Sequence, residues 1–285
     1  MSSRFDNYIH LQTIMLQCIC KPNNHFAKVV YMSNNSKTAI ITGASSGLGA
    51  EYAKLLDAKG LDELWLIARR QDRLTELASK LKTPCRCLSL DLTEDSALDF
   101  LEQELNAQRP DMSFLVNAAG FGCIGLSREC PQDKLRQMIK LNDMAAVAIT
   151  EMCVPYMRKG SHILQIVSCS AFQPIPNLAV YAASKAFMLS YSRAISVELQ
   201  DSGIKVTAVC PYWIKDTEFV GKAKATDKHG AYKDMPGATT VKSVAKKSLQ
   251  AAIRGAVVYT PDTVSTLHRL VTSLLPHFLL ARICK

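Results

Sequence analysis

The 285-residue chain lacks several things that would each have pointed to a function class. No apolar run reaches the roughly 20 residues that a membrane-spanning helix needs. No two cysteines have CxxC spacing, although there are ten: the close pairs are Cys18/Cys20 and Cys85/Cys87, and the rest are dispersed. That pattern suggests neither a zinc or redox site nor a secreted disulfide framework, and its simplest reading is reduced thiols in a cytoplasmic protein. The six histidines form no group with Asp or Glu at metal-ligand spacing, so no metal is expected. Net charge is +9, yet Lys and Arg are scattered and often neighbour acids, as in "RRQDRLTE". Without a basic stripe interleaved with aromatics, nucleic acid is not an expected partner. A phosphorylated ligand or an anionic membrane remains compatible with the charge.

What is present is an ordinary globular composition, 48% hydrophobic and 21% charged, in a chain long enough for one sizeable core. After Ser36, short apolar runs alternate with helical patterns. Strands are expected at 38–42, 64–68, 85–92, 113–120, 162–168, 204–210 and 256–260. Helices are expected at 47–60, 71–82, 95–108, 131–158, 178–201 and 240–253. This alternation predicts an α/β fold, a Rossmann-like doubly wound parallel sheet in a single domain over 37–262. Residues 1–36 read as an N-terminal extension, and Met32 reads as a natural start. The first 31 residues are then an upstream start-site artefact or a loose appendage, with a weak anchor as the alternative.

The segment "TGASSGLG" (42–49) falls between the first strand and the first helix. Gly43, Gly47 and Gly49 permit a tight turn and close approach, and the helix N-terminus offers free N–H groups to a phosphate. The spacing is Gly-x3-Gly-x-Gly. In that position it predicts dinucleotide binding, with Ser45, Ser46 and Leu48 completing the loop. At the end of the second strand an NAD site keeps a carboxylate, and an NADP site replaces it with a cation. Here Ala68 stands in that place and Arg69 follows, so NADP is the expected cofactor, while Arg70 and Arg73 read as the solvated start of a helix. Further on, "YAASK" (181–185) places Tyr181 and Lys185 four residues apart on one helical face. An ammonium there is expected to favour the phenolate and lower the tyrosine pKa, preparing Tyr181 for proton transfer to or from a substrate oxygen.

Taken together, these motifs resemble the short-chain dehydrogenase/reductase family over about residues 37–260. Asp91 and Leu92 match the place where that family seats the adenine ring. "NAAG" (Asn117, Ala118, Ala119, Gly120) resembles its Asn-Asn-Ala-Gly, and Asn142, Ser168, Tyr181 and Lys185 match its catalytic tetrad. The resemblance implies that Ser168 holds the substrate oxygen, with Ser170 a nearby competitor. It also implies that Lys185 bonds the nicotinamide ribose and that Asn142 holds a relay water. A helix-interior asparagine that simply bonds a neighbouring carbonyl is the plainer reading of Asn142.

The chain departs from the family after the sixth strand, where "CPYWIKDTEF" (210–219) has Tyr212 in place of the usual glycine. Pro211, Ile214 and Thr217 are the residues left to meet the nicotinamide carboxamide. Tyr212 and Trp213 suit either an aromatic wall of the substrate pocket or core packing. Residues 218–239 match the family's substrate lid. The tail, 263–285, has leucines at helical spacing, and packing within the protein is the preferred reading. A weak membrane-surface contact, a cover for the pocket and a partner-subunit contact are the alternatives. The expected activity is an NADP(H)-dependent oxidoreductase that interconverts a ketone and a secondary alcohol on a bulky apolar substrate such as a hydroxysteroid or bile acid. A 3-oxoacyl thioester reductase is the alternative, and a non-catalytic NADP-binding protein the remaining one. A homodimer or homotetramer is the expected assembly.

Overall fold

The computed structural model describes residues 36–228, 230 and 236–283. Residues 1–35, part of the expected lid and the last two residues lie outside them. Strands β1 (Lys37–Thr42), β2 (Glu63–Ala68) and β3 (Cys85–Ser89) form one half of a seven-stranded sheet. The other half is β4 (Asp111–Asn117), β5 (Met157–Ile166), β6 (Lys205–Val209) and β7 (Val258–Tyr259). Their order is β3-β2-β1-β4-β5-β6-β7, and every neighbouring pair is parallel. Strands covered on both faces should be continuous apolar runs. Accordingly Ala39, Ile40, Ile41, Leu64, Trp65, Leu66 and Ile67 are fully buried.

Helices α1 (Gly47–Leu56), α2 (Gln71–Ala78) and α8 (Val241–Arg254) cover one face through Tyr52, Leu56, Leu74 and Leu249. A 2.5 Å hydrogen bond between the Tyr52 and Ser248 hydroxyls joins α1 to α8. On the other face, α3 (Asp95–Gln108), α5 (Ala146–Cys153) and α6 (Ala179–Glu198) bury Leu101, Leu105, Ile149 and Ile195. After the edge strand β3 the chain returns to place β4 on the other side of β1. The crevice at the carboxyl ends of β1 and β4 is therefore the switch point where such sheets bind ligands.

Three expected helices differ. The one expected at 71–82 ends at Ala78. The one expected at 47–60 stops at Leu56, and the Asp57 side chain that follows accepts the Lys82 and Thr83 backbone N–H groups at 2.9 and 2.7 Å. The expected 131–158 helix is four pieces: α4 (Gln132–Ile139), a π-helical turn (Lys140–Ala145), α5, and a 3₁₀ turn containing Pro155, after which β5 begins at Met157. The extra residue per π turn directs Asn142 and Asp143, adjacent in sequence, both into the interior, where they are 2% and 6% exposed.

Candidate active site

The glycine loop leaves β1 with Gly43 at φ +68° and Gly47 at φ +55°, conformations that L side chains rarely adopt. A Cβ on Gly43 would lie 2.8 Å from the Ala118 carbonyl, and one on Gly49 would lie 2.4 Å from Gly43 O. Gly49 thus permits helix–loop packing and does not line the cavity, whereas Gly43, Ser45, Ser46, Gly47 and Leu48 do. Thr42, which sequence reasoning passed over, ties the two sides of the crevice together. Its Oγ1 accepts the backbone N–H groups of Ala118 and Ala119, both at 3.1 Å. Ala118, Ala119 and Gly120 line the cavity. Asn117 does not: it points into the core, where Nδ2 donates to Ala146 O (3.2 Å) and Thr150 Oγ1 (3.0 Å).

At the end of β2 the expected cation is present but so is a second. Arg69 is 3.6 Å from the Asp91 carboxylate and largely exposed. Arg70 is not simply the solvated start of a helix. Its guanidinium reaches back to Ser45 Oγ (3.2 and 3.4 Å) and pairs with Glu218 at 3.0 Å. Both arginines, with Asp91 and Leu92, line the cavity. Partial burial would raise the Asp91 carboxyl, but hydrogen bonds from Thr93 and the Arg69 charge hold it below its ordinary value. A helix N-terminus, two serine hydroxyls and two guanidiniums form a donor set suited to phosphates, so this cradle fits a phosphorylated dinucleotide.

Ser168, Tyr181 and Lys185 come together at the inner wall of the cavity. Ser168 lies two residues past β5 rather than within it, and its hydroxyl bonds the Tyr181 phenol. The buried Ser170 hydroxyl faces the same phenol. The expected downward shift of Tyr181 is not found. Burial pushes the phenol well above its ordinary pKa, with the Ser168 bond only partly opposing. Lys185 turns its ammonium elsewhere: Nζ lies 5.8 Å from the ring centroid and donates to Ile166 O at 3.0 Å. Tyr181 is therefore a protonated donor at neutral pH.

The lysine answers to a different neighbour. Burial lowers its pKa to about 8, opposed by the Asp143 carboxylate. Burial raises Asp143 in turn to about 7, opposed by Lys185, and one Asp143 oxygen has no hydrogen-bond partner. Asn142 does not line the cavity. It clamps the turn after β4, accepting Phe121 N–H at 3.1 Å and donating to Phe121 O at 3.0 Å. It also donates to Ser184 Oγ at 3.2 Å. A Cβ on Gly120 would lie 2.9 Å from Asn142 Oδ1 and 3.6 Å from Lys185 Nζ, so glycine there keeps these two groups adjacent.

Pro211, Tyr212, Trp213, Ile214 and Thr217 all line the same cavity, of about 1220 Å³. Tyr212 satisfies both readings, since it also packs on the buried cluster around Phe172 and Met188. The described part of the 218–239 segment begins with α7 (Glu218–Lys224). Its Phe219 ring stands 5.6 Å from that of Tyr181, closing the site from above. Helix α9 (Thr263–Leu274) contributes Val264, His268 and Val271 to the cavity, and α10 (His277–Ile283) contributes Leu280 and Ile283. Leu280 packs within the protein, but Leu267, Leu270 and Leu274 face outward, because α9 turns its polar side to the domain.

A family model described as short chain dehydrogenase matches residues 37–228. The very-long-chain 3-oxoacyl-CoA reductase of Meyerozyma guilliermondii is 32% identical over 226 residues, 72% of this chain and 64% of that protein. Among solved structures, a short-chain dehydrogenase from Sphingobium yanoikuyae in complex with NADPH is 28% identical, with a TM-score of 0.70. That match covers 84% of this chain and 96% of the other. The bulky-bulky ketone specific alcohol dehydrogenase of Comamonas testosteroni is 26% identical, with a TM-score of 0.68 over 85% and 96% of the two chains.

Proposed function

The chain belongs to the short-chain dehydrogenase family, an oxidoreductase acting on CH–OH groups, and from that premise we propose an NADP(H)-dependent enzyme that interconverts a ketone and a secondary alcohol on a bulky apolar substrate. One observation carries the reading: the phenol of Tyr181 sits at the floor of a cavity of about 1220 Å³ whose outer walls are Trp213, Phe219, Val264, Val271 and Leu280. The cofactor would fill the part lined by the glycine loop, Arg69 and Asp91, and the remainder is bounded by these apolar side chains. A fused-ring or long-chain ketone would bury its apolar surface there at roughly 25 cal/mol per Å². The name of the Comamonas enzyme supports the same substrate class.

The cofactor supplies or accepts the hydride when bound. The chain's residues do the rest. Ser45, Ser46 and the N-terminus of α1 would hold the pyrophosphate, and Arg69 with Arg70 would hold the 2′-phosphate. The NADPH complex of the Sphingobium relative supports that cofactor. Ser168 Oγ would hold the substrate oxygen, and Tyr181 Oη would give it a proton as the carbonyl is reduced, or take the proton back from the alcohol. A phenol that burial keeps protonated suits the reductive direction. A second reading, reduction of a 3-oxoacyl thioester, is favoured by the name of the Meyerozyma relative, although that protein extends well beyond the match.

A panel of fused-ring ketones, 3-oxoacyl thioesters and small ketones, followed by NADPH absorbance, separates the two. Preference for the thioester would replace the first reading with the second. In Tyr181→Phe, turnover should fall by about 10²- to 10⁴-fold with NADPH affinity unchanged, and retained turnover would refute the assignment of the proton donor.

A further inference from the structure

Helix α9 is inverted with respect to an ordinary surface helix. Ser265 and Thr272 are its buried residues, 0% and 6% exposed, while Leu267 and Leu274 are 60% and 74% exposed. Leu267, Leu270, Val271 and Leu274 follow i, i+3, i+4, i+7 spacing and form one outward stripe. Leu275 extends the stripe, and past Pro276 it continues through Phe278, Leu279 and Ile283.

The polar side is what fastens α9 to the domain. Asp262 caps it, accepting Ser265 N–H at 2.8 Å through one carboxylate oxygen and Tyr212 N–H at 3.1 Å through the other. Arg269 adds a bond to Val258 O at 3.2 Å. The helix is thus held by its cap, by short polar side chains and by the His268 ring against Phe172, and Leu267, Leu270 and Leu274 take no part in that docking. A continuous apolar face of this size on a soluble domain marks an interaction surface.

We infer that the outward face of α9 and α10 docks on the surface of an anionic lipid bilayer. Charge selects this occupant. Residues 263–283 contain no Asp or Glu, and Arg282 stands exposed beside the face, in a chain of net charge +9. A second copy of the same face would bring Arg282 against its equivalent with no acid from the segment between them. An anionic headgroup layer complements it. At 12 residues α9 is about 18 Å long, too short to cross a bilayer but suited to lie in its interface.

The face is also continuous with the cavity, because Val271 and Ile283 belong to both. On the apolar-substrate reading, docking would set the cavity mouth against the lipid and admit substrate directly from it. The docking itself does not depend on that reading, so its test uses no substrate.

The full chain is mixed with vesicles of phosphatidylcholine, with or without phosphatidylglycerol, and floated on a density gradient. The wild type is expected to float with the anionic vesicles and to be released by high salt. Arg282→Gln should weaken binding roughly fivefold. The triple variant Leu267→Ser, Leu274→Ser, Phe278→Ser should lose flotation by tenfold or more, with melting temperature and turnover of a water-soluble ketone unchanged. None of these four side chains lines the cavity. Absence of flotation, equal flotation with neutral vesicles, or a triple variant that floats like the wild type would each overturn the inference. So would a dimer that the triple variant dissociates in a protein without vesicle binding. If the triple variant does not fold, the salt dependence and Arg282→Gln decide the question alone.

Discussion

Thr42→Val should loosen the crevice that the cofactor is proposed to occupy while leaving the shape of β1 intact. Valine matches threonine in branching and volume, and the site is 1% exposed, so water cannot replace the lost oxygen. The change removes the acceptor that Ala118 and Ala119 N–H share, each at 3.1 Å. Stranding a buried donor costs roughly 1–3 kcal/mol. Both alanines are only half-buried, which argues for the low end, about 1 kcal/mol each. The expected loss of about 2 kcal/mol should lower Tm by about 4–8 °C for a domain of this size. It should also weaken NADPH, because the loop that swings free packs directly against Gly43. Urea melts and fluorescence titration of NADPH measure the two effects, and Thr42→Ser, which keeps the acceptor, should restore most of both. If Thr42→Val melts and binds like the wild type, the two bonds do not hold the crevice.

Two further predictions concern charge. Arg70→Ala and Arg69→Ala should each weaken NADPH by roughly 10- to 100-fold, the worth of a charge-assisted bond, while NADH binding changes little. Glu218→Gln should tighten NADPH, since it removes the acid that pairs with Arg70 at 3.0 Å; equal effects on both cofactors in titrations would refute the phosphate assignment. Asp143→Asn should alter the pH dependence of stability in a defined direction. Burial raises the folded-state pKa of Asp143 from 3.8 to about 7, so between those values the native state holds a proton that the unfolded state has lost. Wild-type stability should therefore fall relative to Asp143→Asn as pH rises from about 4 to about 7, and the difference should level off above that. Parallel Tm–pH curves for the two proteins would show that the carboxyl is ordinary in the native state.

The sheet could be read from the sequence because its signals are local. Buried runs such as "AIIT" and "LWLIA" need covering on both faces wherever they sit, and helix 95–108 is bounded as its periodicity predicts, closed by Arg109 in a left-handed conformation. The pairing of Tyr181 with Lys185 on one helical face was equally legible, whereas the place of Ser168 beside them came from the family resemblance. What local pattern does not carry is the direction in which a side chain leaves its element. Asn117 stands one residue from the cavity, but alternation along β4 turns it to the core. Tyr181 and Lys185 share a face, yet Lys185 Nζ is turned to Ile166 O and burial sets the phenol's pKa. The π turn that buries Asp143 beside Lys185 comes from a helix whose periodicity reads as unbroken. Helix α9 shows the same limit most directly. Spacing of 267, 270 and 274 establishes that one side is apolar, but which side meets the domain is decided by the Asp262 cap and its bonds to Ser265 and Tyr212. A cap is fixed in direction by three or four atoms, whereas an apolar stripe is satisfied by any apolar neighbour.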